Sequence, residues 1–205
     1  MLICIEGIDG SGKSTLAKQL AALLQKDGRT VVLTKEPGGS ALGKQLRTIL
    51  QTQPVPINPI SEFLLFAADR AQHVKEVIKP ALAQGAIVIT DRMGDSSLVY
   101  QGYGRGIDTT MIQTVNAWAL QGIAPDLTLY VKIDGTTAAQ RIKKRGALSA
   151  FEKEQNDFTE RLIAGFNELY RNRTDVITLD GTQSPEQVAT LAGKALDQWI
   201  TQMHQ

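Results

Sequence analysis

Short apolar runs that are rich in β-branched residues recur along the chain and show no clean polar alternation. The five runs are LICIE (2–6), TVVLT (30–34), AIVIT (86–90), LTLYVKI (127–133) and DVITL (175–179). Such runs are typical of parallel strands that are covered on both faces. Helical patterns separate them, so the chain is predicted to form an α/β fold, a five-stranded parallel sheet with helices on both faces.

The segments between these runs carry apolar residues at helical spacing. Leu16, Leu20 and Leu24 follow the first run in this way. The last helix is predicted to begin at SPEQ (184–187), a capping box with proline at the first helical position. In doubly wound sheets, ligands bind beyond the carboxyl ends of the strands. The loops that follow the strands are therefore the places to look for chemistry.

The loop after the first predicted strand, GIDGSGKST (7–15), matches the phosphate-binding pattern G-x-x-x-x-G-K-[ST] in full. Its glycines let backbone N–H groups turn toward phosphate oxygens, Lys13 reaches the β- and γ-phosphates, and the Ser14 hydroxyl can ligate magnesium. The predicted ATP-binding residues of this loop are Gly7, Ile8, Asp9, Gly10, Ser11, Gly12, Lys13, Ser14 and Thr15. The carboxylate of Asp9 is unexpected, because it puts a negative charge inside an anion site.

A nucleotide site of this kind fits two classes of protein, a nucleotide-dependent switch and a small-molecule kinase. A GTPase-like switch needs a guanine-reading N-K-x-D loop, and the sequence has none, although DRMG (91–94) spells the switch pattern D-x-x-G. A kinase needs a second anion site and a mobile, positively charged cover. EPGGS (36–40), Arg47 and RIKKR (141–145) offer both, although each alone also fits a turn or a solvated surface. Asp91 ends an apolar strand, where a carboxylate can hold magnesium.

Composition narrows the class further. The chain has 205 residues, 42% of them hydrophobic, which suits one domain over residues 1–205. The net charge of +1 disfavours a general nucleic-acid binder. No apolar stretch approaches membrane-spanning length, so no membrane partner is expected. Cys4 is the single cysteine and lies in an apolar run, so we expect a buried thiol, no internal disulfide and a cytoplasmic location.

Taken together, the motifs resemble those of bacterial thymidylate kinases. The resemblance rests on GIDGSGKST, EPGGS, EFLLFAADR (62–70), DRMGDSSLVYQGYGRG (91–106), APDLTLYVKID (124–134) and RIKKRG followed by an acidic helix, in this order over nearly the whole chain. It implies a P-loop kinase that uses ATP and magnesium to convert dTMP to dTDP for dTTP synthesis, and that forms a homodimer. Phosphorylation of another nucleoside monophosphate or of a deoxynucleoside is the alternative, and a nucleotide-dependent switch is less favoured.

The resemblance also implies roles for individual residues. Phe66 is expected to stack on the thymine ring and Arg70 to hydrogen-bond the base, and residues four apart share one helix face. Without the resemblance, Phe66 would be assigned to the core and Arg70 to the surface. Tyr100 is expected to crowd the sugar C2′, and Asp9 to hydrogen-bond the 3′-hydroxyl. The implied dTMP site comprises Asp9, Glu36, Pro37, Arg47, Phe66, Arg70, Arg92, Ser96, Ser97, Tyr100 and Gln101.

The same resemblance implies which side chains contact each of the two nucleotides. Arg47 and Arg92 are expected to hold the phosphate of dTMP, whereas Arg141 and Gln183 are expected near the adenine of ATP. Because the phosphate of dTMP is already ionised, no strong general base is required, and the reaction depends on positioning and cations. No role is given to the two histidines of the chain, His73 and His204.

The source of the catalytic cation divides the family into two subgroups. Some members carry an arginine in the phosphate loop, where this sequence has Gly10. The other subgroup supplies the charge from a lid, which is predicted here at about 141–156. The sequence does not decide among three lid cations, Arg141, Lys143 and Arg145. The implied catalytic residues are Lys13, Arg92, Arg145 and Lys143, and the implied metal ligands are Ser14 and Asp91.

Overall fold

A five-stranded sheet forms the centre of the computed structural model, which describes residues 1–52, 56–146 and 156–203. Its strands are β1 (Leu2–Glu6), β2 (Val31–Lys35), β3 (Ile87–Asp91), β4 (Leu127–Lys132) and β5 (Val176–Asp180), in the spatial order β2-β3-β1-β4-β5. Every neighbouring pair is parallel. The predicted α/β fold is therefore confirmed, and each strand begins and ends within one residue of its predicted limits.

Helices connect the strands and cover the sheet. They are α1 (Lys13–Lys26), α2 (Ala41–Thr52), α3 (Pro59–His73), α4 (Lys79–Ala83), α5 (Gly94–Ser97), α6 (Thr109–Leu120), α7 (Gly135–Arg145), α8 (Asn156–Tyr170) and α9 (Pro185–Met203). The π-helical segments Val74–Ile78 and Leu98–Gly104 continue α3 and α5. Such segments are frequent at functional sites, and the second one holds Tyr100 and Gln101.

The alternating side chains of β1 show how the two faces of the sheet are covered. Ile3 and Ile5 pack in one cluster with buried residues of α1 and α9. Leu2 and Cys4 point the other way and pack with residues of α4 and of the segment Val74–Ile78. The inner strands are therefore apolar on both faces, as predicted. The edge strands β2 and β5 are only partly buried, because each has a neighbour on one side only.

Cys4 is buried in the second cluster, as predicted. Burial, followed by the charge of Glu6, raises the pKa of its thiol well above the usual value. The cytoplasmic location stays a prediction. Among residues 1–52, 56–146 and 156–203, no helix combines the length and the apolarity needed to cross a membrane.

Side-chain caps fix the start of several helices. The predicted capping box of α9 is confirmed, because Gln187 N donates to Ser184 Oγ at 3.3 Å and Ser184 N donates to Gln187 Oε1 at 3.1 Å. Asn58, Asp108 and Asp134 accept hydrogen bonds from the first turns of α3, α6 and α7. These caps define where α3 and α7 begin, and both helices carry predicted site residues.

Some predicted features reach beyond the described residues. The lid predicted at 141–156 is described up to Gly146 and again from Asn156, so the part between them lies outside the described residues. The same holds for 53–55 in the proline-rich connection and for His204. The extent of the lid and the single domain over residues 1–205 stay predictions.

Candidate active site

A cleft of about 990 Å³ opens at the carboxyl edge of the sheet. Because all the strands of the sheet are parallel, the loops that follow them meet at this edge. The lining includes residues 9–15 after β1, Glu36 and Pro37 after β2, Arg92 and Met93 after β3, Arg141 and Arg145 on α7 after β4, and Gly181 and Gln183 after β5. The loops singled out from the sequence therefore share one cavity.

The phosphate loop runs between the end of β1 and the start of α1. Gly7 and Gly12 have φ of +146° and +100°, which side chains rarely allow. Gly10 has φ of +81°, and a Cβ there would lie 2.9 Å from the carbonyl oxygen of Ala138 and 3.2 Å from Ile142 Cγ1. Helix α7 thus packs directly against the loop. A side chain at position 10 has no room in this arrangement.

Lys13 begins α1 and is almost fully buried. Its Nζ donates to the carbonyl of Ile8 at 2.8 Å, which holds the ammonium group over the loop. Burial, followed by the charge of Arg92, lowers the pKa of Lys13 to about 8. The ammonium group therefore remains mostly charged at neutral pH, and a bound phosphate would favour its charged form further.

Ser14 and Asp91 meet where α1 begins and β3 ends. Ser14 Oγ donates a short hydrogen bond to Asp91 Oδ2, and both residues line the cleft. Magnesium in nucleotide sites takes one or two carboxylates, phosphate oxygens and water, and it accepts a hydroxyl ligand. The hydroxyl and carboxylate oxygens of this pair fit that donor set.

Arg92 follows β3 and connects the two sides of the cleft. Its Nη1 donates to Gly7 O at 2.9 Å and to Ser96 Oγ at 3.0 Å. Its Nη2 donates to Asp9 Oδ1 and to the Tyr100 hydroxyl, both at 2.8 Å, and that hydroxyl donates to Asp9 Oδ2 at 3.1 Å. Burial is the largest single influence and opposes the ionisation of Asp9. The charges of Arg92 and Lys13 and the hydrogen bonds from Arg92 and Tyr100 together outweigh it, so the pKa of Asp9 is lowered. Asp9, Arg92 and Tyr100 thus form one network that joins the phosphate loop to the segment after β3.

Phe66 and Arg70 lie one turn apart on α3, and both line the cleft. The alternative assignment of Arg70 to the surface is wrong, because the residue is only 1% exposed. A buried guanidinium group needs acceptors for its donors. Its Nε donates to Glu36 Oε2 at 2.9 Å, its Nη1 to Asn116 Oδ1 at 2.7 Å, and its Nη2 to Met93 O and Ser97 Oγ, both at 3.1 Å.

His73, which was given no role from the sequence, is part of the same network. The side chain is fully buried, with Nδ1 3.1 Å from Glu36 Oε1 and Nε2 2.7 Å from Thr34 Oγ1. Glu36 is therefore held between His73 and Arg70. Helical spacing could have found this residue, because His73 comes three residues after Arg70 and seven after Phe66, on the same face of α3.

Asp69, which was also given no role from the sequence, anchors the EPGGS loop to α3. Its Oδ1 accepts a hydrogen bond from Gly38 N at 3.0 Å, and burial raises the pKa of this carboxyl to about 6. The peptide bond between Glu36 and Pro37 is cis. Arg47 donates from Nη1 to Pro37 O at 3.0 Å and lines the cleft. Helix α3 thus positions both the loop and the arginine attached to it.

Gln101 enters the cleft from the π-helical segment Leu98–Gly104. Its Nε2 donates to Glu62 Oε1 at 2.9 Å, and Glu62 Oε2 accepts from Arg105 Nη2 at 3.2 Å. Glu62 is the first residue of the motif EFLLFAADR, but no local pattern predicts a contact for it. The bond to Glu62 orients the amide group of Gln101.

Helix α7 covers the phosphate loop on the side of the predicted lid. Arg141 and Arg145 line the cleft, and Arg141 Nη1 donates weakly to Ser11 O at 3.4 Å. Lys143 is exposed and does not line the cleft. Gln183, after β5, also lines it and donates from Nε2 to Asp180 Oδ2 at 3.4 Å.

Nearly all the predicted site residues lie in the lining of the cleft. The exceptions are Gly7, Ile8 and Lys143. Gly7 and Ile8 instead offer carbonyl oxygens to Arg92 and Lys13. Their contribution is therefore the shape of the loop.

Comparison with known proteins shows one family throughout. A family model described as thymidylate kinase matches residues 5–191. The thymidylate kinase of Solidesulfovibrio magneticus is 43% identical over 198 residues, which cover 92% of this chain and 95% of that protein. The thymidylate kinase of an Exiguobacterium species is 40% identical over 207 residues, which cover 100% of this chain and 96% of that protein. A crystal structure of thymidylate kinase from Ehrlichia chaffeensis matches with a TM-score of 0.78 and 34% identity, covering 96% of this chain and 98% of that one.

Proposed function

This chain belongs to the thymidylate kinase family and phosphorylates dTMP to dTDP, and we propose that ATP is the donor, magnesium the metal and the cleft the place of transfer. The observation that carries the proposal is the contact between Asp9 of the phosphate loop and Arg92 after β3, at 2.8 Å. The contact joins the phosphate loop, which is one anion site, to Arg92, which belongs to the second anion site. Both sites are therefore parts of one cleft. Two phosphorylated substrates can therefore meet there.

The donor side consists of the phosphate loop, the start of α1 and Lys13. Backbone N–H groups and the helix dipole favour the phosphates of ATP, and Lys13 supplies a charge close to the group that is transferred. Arg141 and Gln183 are the proposed contacts of the adenosine, because both line the cleft beside this loop.

The acceptor side consists of side chains from several elements. Phe66 offers a ring for stacking on thymine, and Arg70 next to it offers a hydrogen bond. Four of the five guanidinium N–H donors of Arg70 are used within the described residues, which leaves one on Nη1 for a base carbonyl. Because its partners fix the guanidinium group, this remaining donor has a defined direction. Asp9 and Tyr100 are the proposed contacts of the deoxyribose.

The transfer step itself requires little proton chemistry. An ionised phosphate oxygen of dTMP forms a bond to the γ-phosphorus of ATP, and the bond from that phosphorus to the bridging oxygen of ADP breaks. The chain has to bring two anions together and to stabilise the charge on the transferred group. Arg47 and Arg92 would hold the acceptor phosphate, and Lys13 would face the transferred group.

Arg145 is the proposed lid cation that acts in the transition state. It lines the cleft and Lys143 does not, although both residues are exposed. Position 10 has no room for an arginine beside α7, so a loop arginine cannot take this part. Arg141 is better placed for the donor nucleotide, because it donates to the phosphate loop at Ser11.

Magnesium would be held by Ser14 and Asp91, whose oxygens meet at the start of α1. When bound, the ion would neutralise charge on the phosphates of ATP and orient them for transfer. The hydrogen bond between the two side chains supports this assignment, because it brings a hydroxyl and a carboxylate oxygen together in the cleft.

An exposed apolar surface supports the proposed homodimer. Helices α2, α3 and α6 pack side by side and expose large apolar side chains, of which Trp118 is 81% exposed. The exposed large apolar residues on these helices are Leu42, Ile49, Ile60, Leu64 and Trp118. Burial of such a surface against a second copy would be favourable. Sedimentation velocity tests this: a dimer is expected for the natural chain and a shift toward monomer for Trp118→Glu.

An assay of ADP release over a panel of acceptors tests the function. We expect magnesium-dependent turnover with dTMP that exceeds turnover with AMP, dUMP or thymidine by at least about tenfold. Turnover with AMP or thymidine but not with dTMP would indicate a different acceptor. Release of ADP that does not depend on any acceptor would favour a nucleotide-dependent switch.

A further inference from the structure

Glu6 is a fully buried carboxylate at the carboxyl end of β1, directly before the phosphate loop. It points to the same face of the sheet as Leu2 and Cys4, because residues two apart on a strand share a face. That face is apolar, so a charged side chain there needs a specific reason. Glu6 does not line the cleft and cannot contact a substrate directly.

The carboxylate of Glu6 accepts hydrogen bonds from the turn that follows β3. Met93 N donates to Oε1 at 2.9 Å, and Ser96 N donates to the same oxygen at 3.3 Å. Ser96 Oγ donates to Oε2 at 2.6 Å. All three donors lie within four residues after Arg92, so Glu6 holds the backbone that carries this arginine.

Arg92 needs such support because its backbone is strained. Its φ is +76°, a left-handed value that non-glycine residues rarely adopt and that surrounding structure must enforce. The N–H of Arg92 donates to Ile5 O at 3.0 Å, and the next N–H along the chain, that of Met93, donates to Glu6. The backbone is therefore held both before and after the Cα of Arg92. Ser96 Oγ accepts from Arg92 Nη1 while it donates to Glu6. Backbone and guanidinium group of Arg92 are thus both tied to one carboxylate.

We propose that Glu6 is a positioning residue that fixes Arg92 in its strained conformation, so that its guanidinium group faces the acceptor phosphate. This inference rests on the proposed role of Arg92 in holding dTMP. A carboxylate suits the task because it only accepts hydrogen bonds and has room for several donors. An amide offers one oxygen, and its nitrogen would present a donor to Ser96 Oγ in place of an acceptor.

The ionisation of Glu6 gives the inference a second readout. Burial raises the pKa of Glu6 to about 7, although the charge of Arg92 opposes this. The other titratable groups that face it are Asp95 on the turn, Cys4 on β1, Lys13 on α1 and Tyr170 on α8. A protonated carboxyl loses acceptor capacity, so Arg92 should be held less well as the pH falls below about 7.

Steady-state kinetics of Glu6→Gln test the proposal. We expect kcat/KM for dTMP to fall by about 100-fold at pH 8, because misplacement of a substrate-positioning group by about 1 Å has effects of this size. The KM for ATP should change by less than about twofold, since Arg92 is proposed to contact the phosphate of dTMP and not the phosphates of ATP. An unchanged kcat/KM for dTMP, or an equal loss toward both substrates, would overturn the proposal.

The ratio of natural to variant kcat/KM separates the pH dependence of Glu6 from that of dTMP. The phosphate of dTMP also titrates near pH 6, but its ionisation affects both proteins and cancels in the ratio. The ratio should be largest above pH 7 and should approach one as the pH falls toward 5. A ratio that does not depend on pH would contradict a role for the ionised carboxylate.

Two controls distinguish positioning from general loss of structure. Leu196→Ala removes a fully buried side chain between α9 and the sheet, on the opposite face of the sheet from the turn, and should lower thermal stability with less than about twofold change in kcat/KM at 25 °C. Arg92→Lys tests the underlying role: if kcat/KM for dTMP survives in Arg92→Lys, the proposed role of Arg92 fails. A crystal structure of Glu6→Gln in which Arg92 keeps its φ and all its contacts would overturn the inference about Glu6 alone.

Discussion

The donor and acceptor sides of the cleft are built in different ways. The donor side is nearly continuous in sequence, because one nine-residue stretch supplies the loop, the lysine and the helix start. The acceptor side is assembled from α3 and from the segments after β2 and β3, and buried ion pairs hold it together. Arg70 and Glu36, for example, are paired at 2.9 Å although they are 34 residues apart in the chain. Phosphate binding is thus a local property of the chain, whereas recognition of base and sugar depends on the whole fold.

Arg145→Ala should produce the largest effect, because the lid cation is proposed to stabilise the negative charge on the transferred phosphoryl group in the transition state. It is not proposed to bind ATP or dTMP in the ground state. We expect kcat to fall by about 1,000-fold, as for other cations that act in phosphoryl transfer, with little change in KM for dTMP. Single-turnover kinetics measure the chemical step directly. The matched control is Lys143→Ala on the same helix, which should lose less than about tenfold. A larger loss in the Lys143 variant would assign the lid cation to Lys143.

His73→Phe should damage the acceptor side and leave the donor side intact. The variant leaves Glu36 and Thr34 without one of their partners, so the free energy of unfolding should fall by about 2 kcal/mol. The KM for dTMP should rise several-fold because Glu36 also holds Arg70, whereas the KM for ATP should stay the same. Urea unfolding and initial rates give the two quantities.

The control for His73 is Thr128→Val. Among the described residues, Thr128 Oγ1 is a buried hydroxyl without a hydrogen-bond partner, so its removal should be neutral or slightly stabilising. If both Thr128→Val and His73→Phe unfold with the same free energy as the natural chain, the buried contacts of His73 do not stabilise the acceptor network.

Tyr100→Ala should have a smaller effect that concerns selectivity. Its hydroxyl is held by Arg92 and Asp9, so the ring has a fixed place beside the proposed sugar site. Removal of the ring should raise the rate with ribothymidine monophosphate relative to dTMP by about tenfold, the range of one lost steric contact. Tyr100→Phe keeps the ring and should leave this ratio nearly unchanged. A ratio that does not change in Tyr100→Ala would remove Tyr100 from sugar selection.

Much of the donor side can be predicted from the sequence, because the signals are local. The five strands follow from apolar runs, the phosphate loop from its motif, and the capping box at Ser184 from residues within one turn. The conflict between Asp9 and a phosphate site was also visible. Its explanation requires Arg92, which lies 83 residues away, and the sequence analysis predicted no contact between Asp9 and Arg92.

The buried charges of the acceptor side could not be predicted in the same way. Glu6 ends an apolar strand, and nothing near it in sequence indicates that Met93 and Ser96 will donate to it. Asp69 and His73 follow helical spacing, but their partners come from the loop after β2. A charged residue is buried only where distant elements supply its partners. Such positions become evident once the fold brings the elements together.

The meeting point of the two sides is Asp9, which belongs to the phosphate loop by sequence and to the acceptor network by contact. Calorimetric titration of ATP and of dTMP into Asp9→Asn tests this division most directly. We predict that the dissociation constant for dTMP rises by about tenfold, as for a lost hydrogen bond to a charged group, while that for ATP changes by less than about twofold. An unchanged or tighter dTMP complex, or a loss of ATP affinity as large as that for dTMP, would contradict the account.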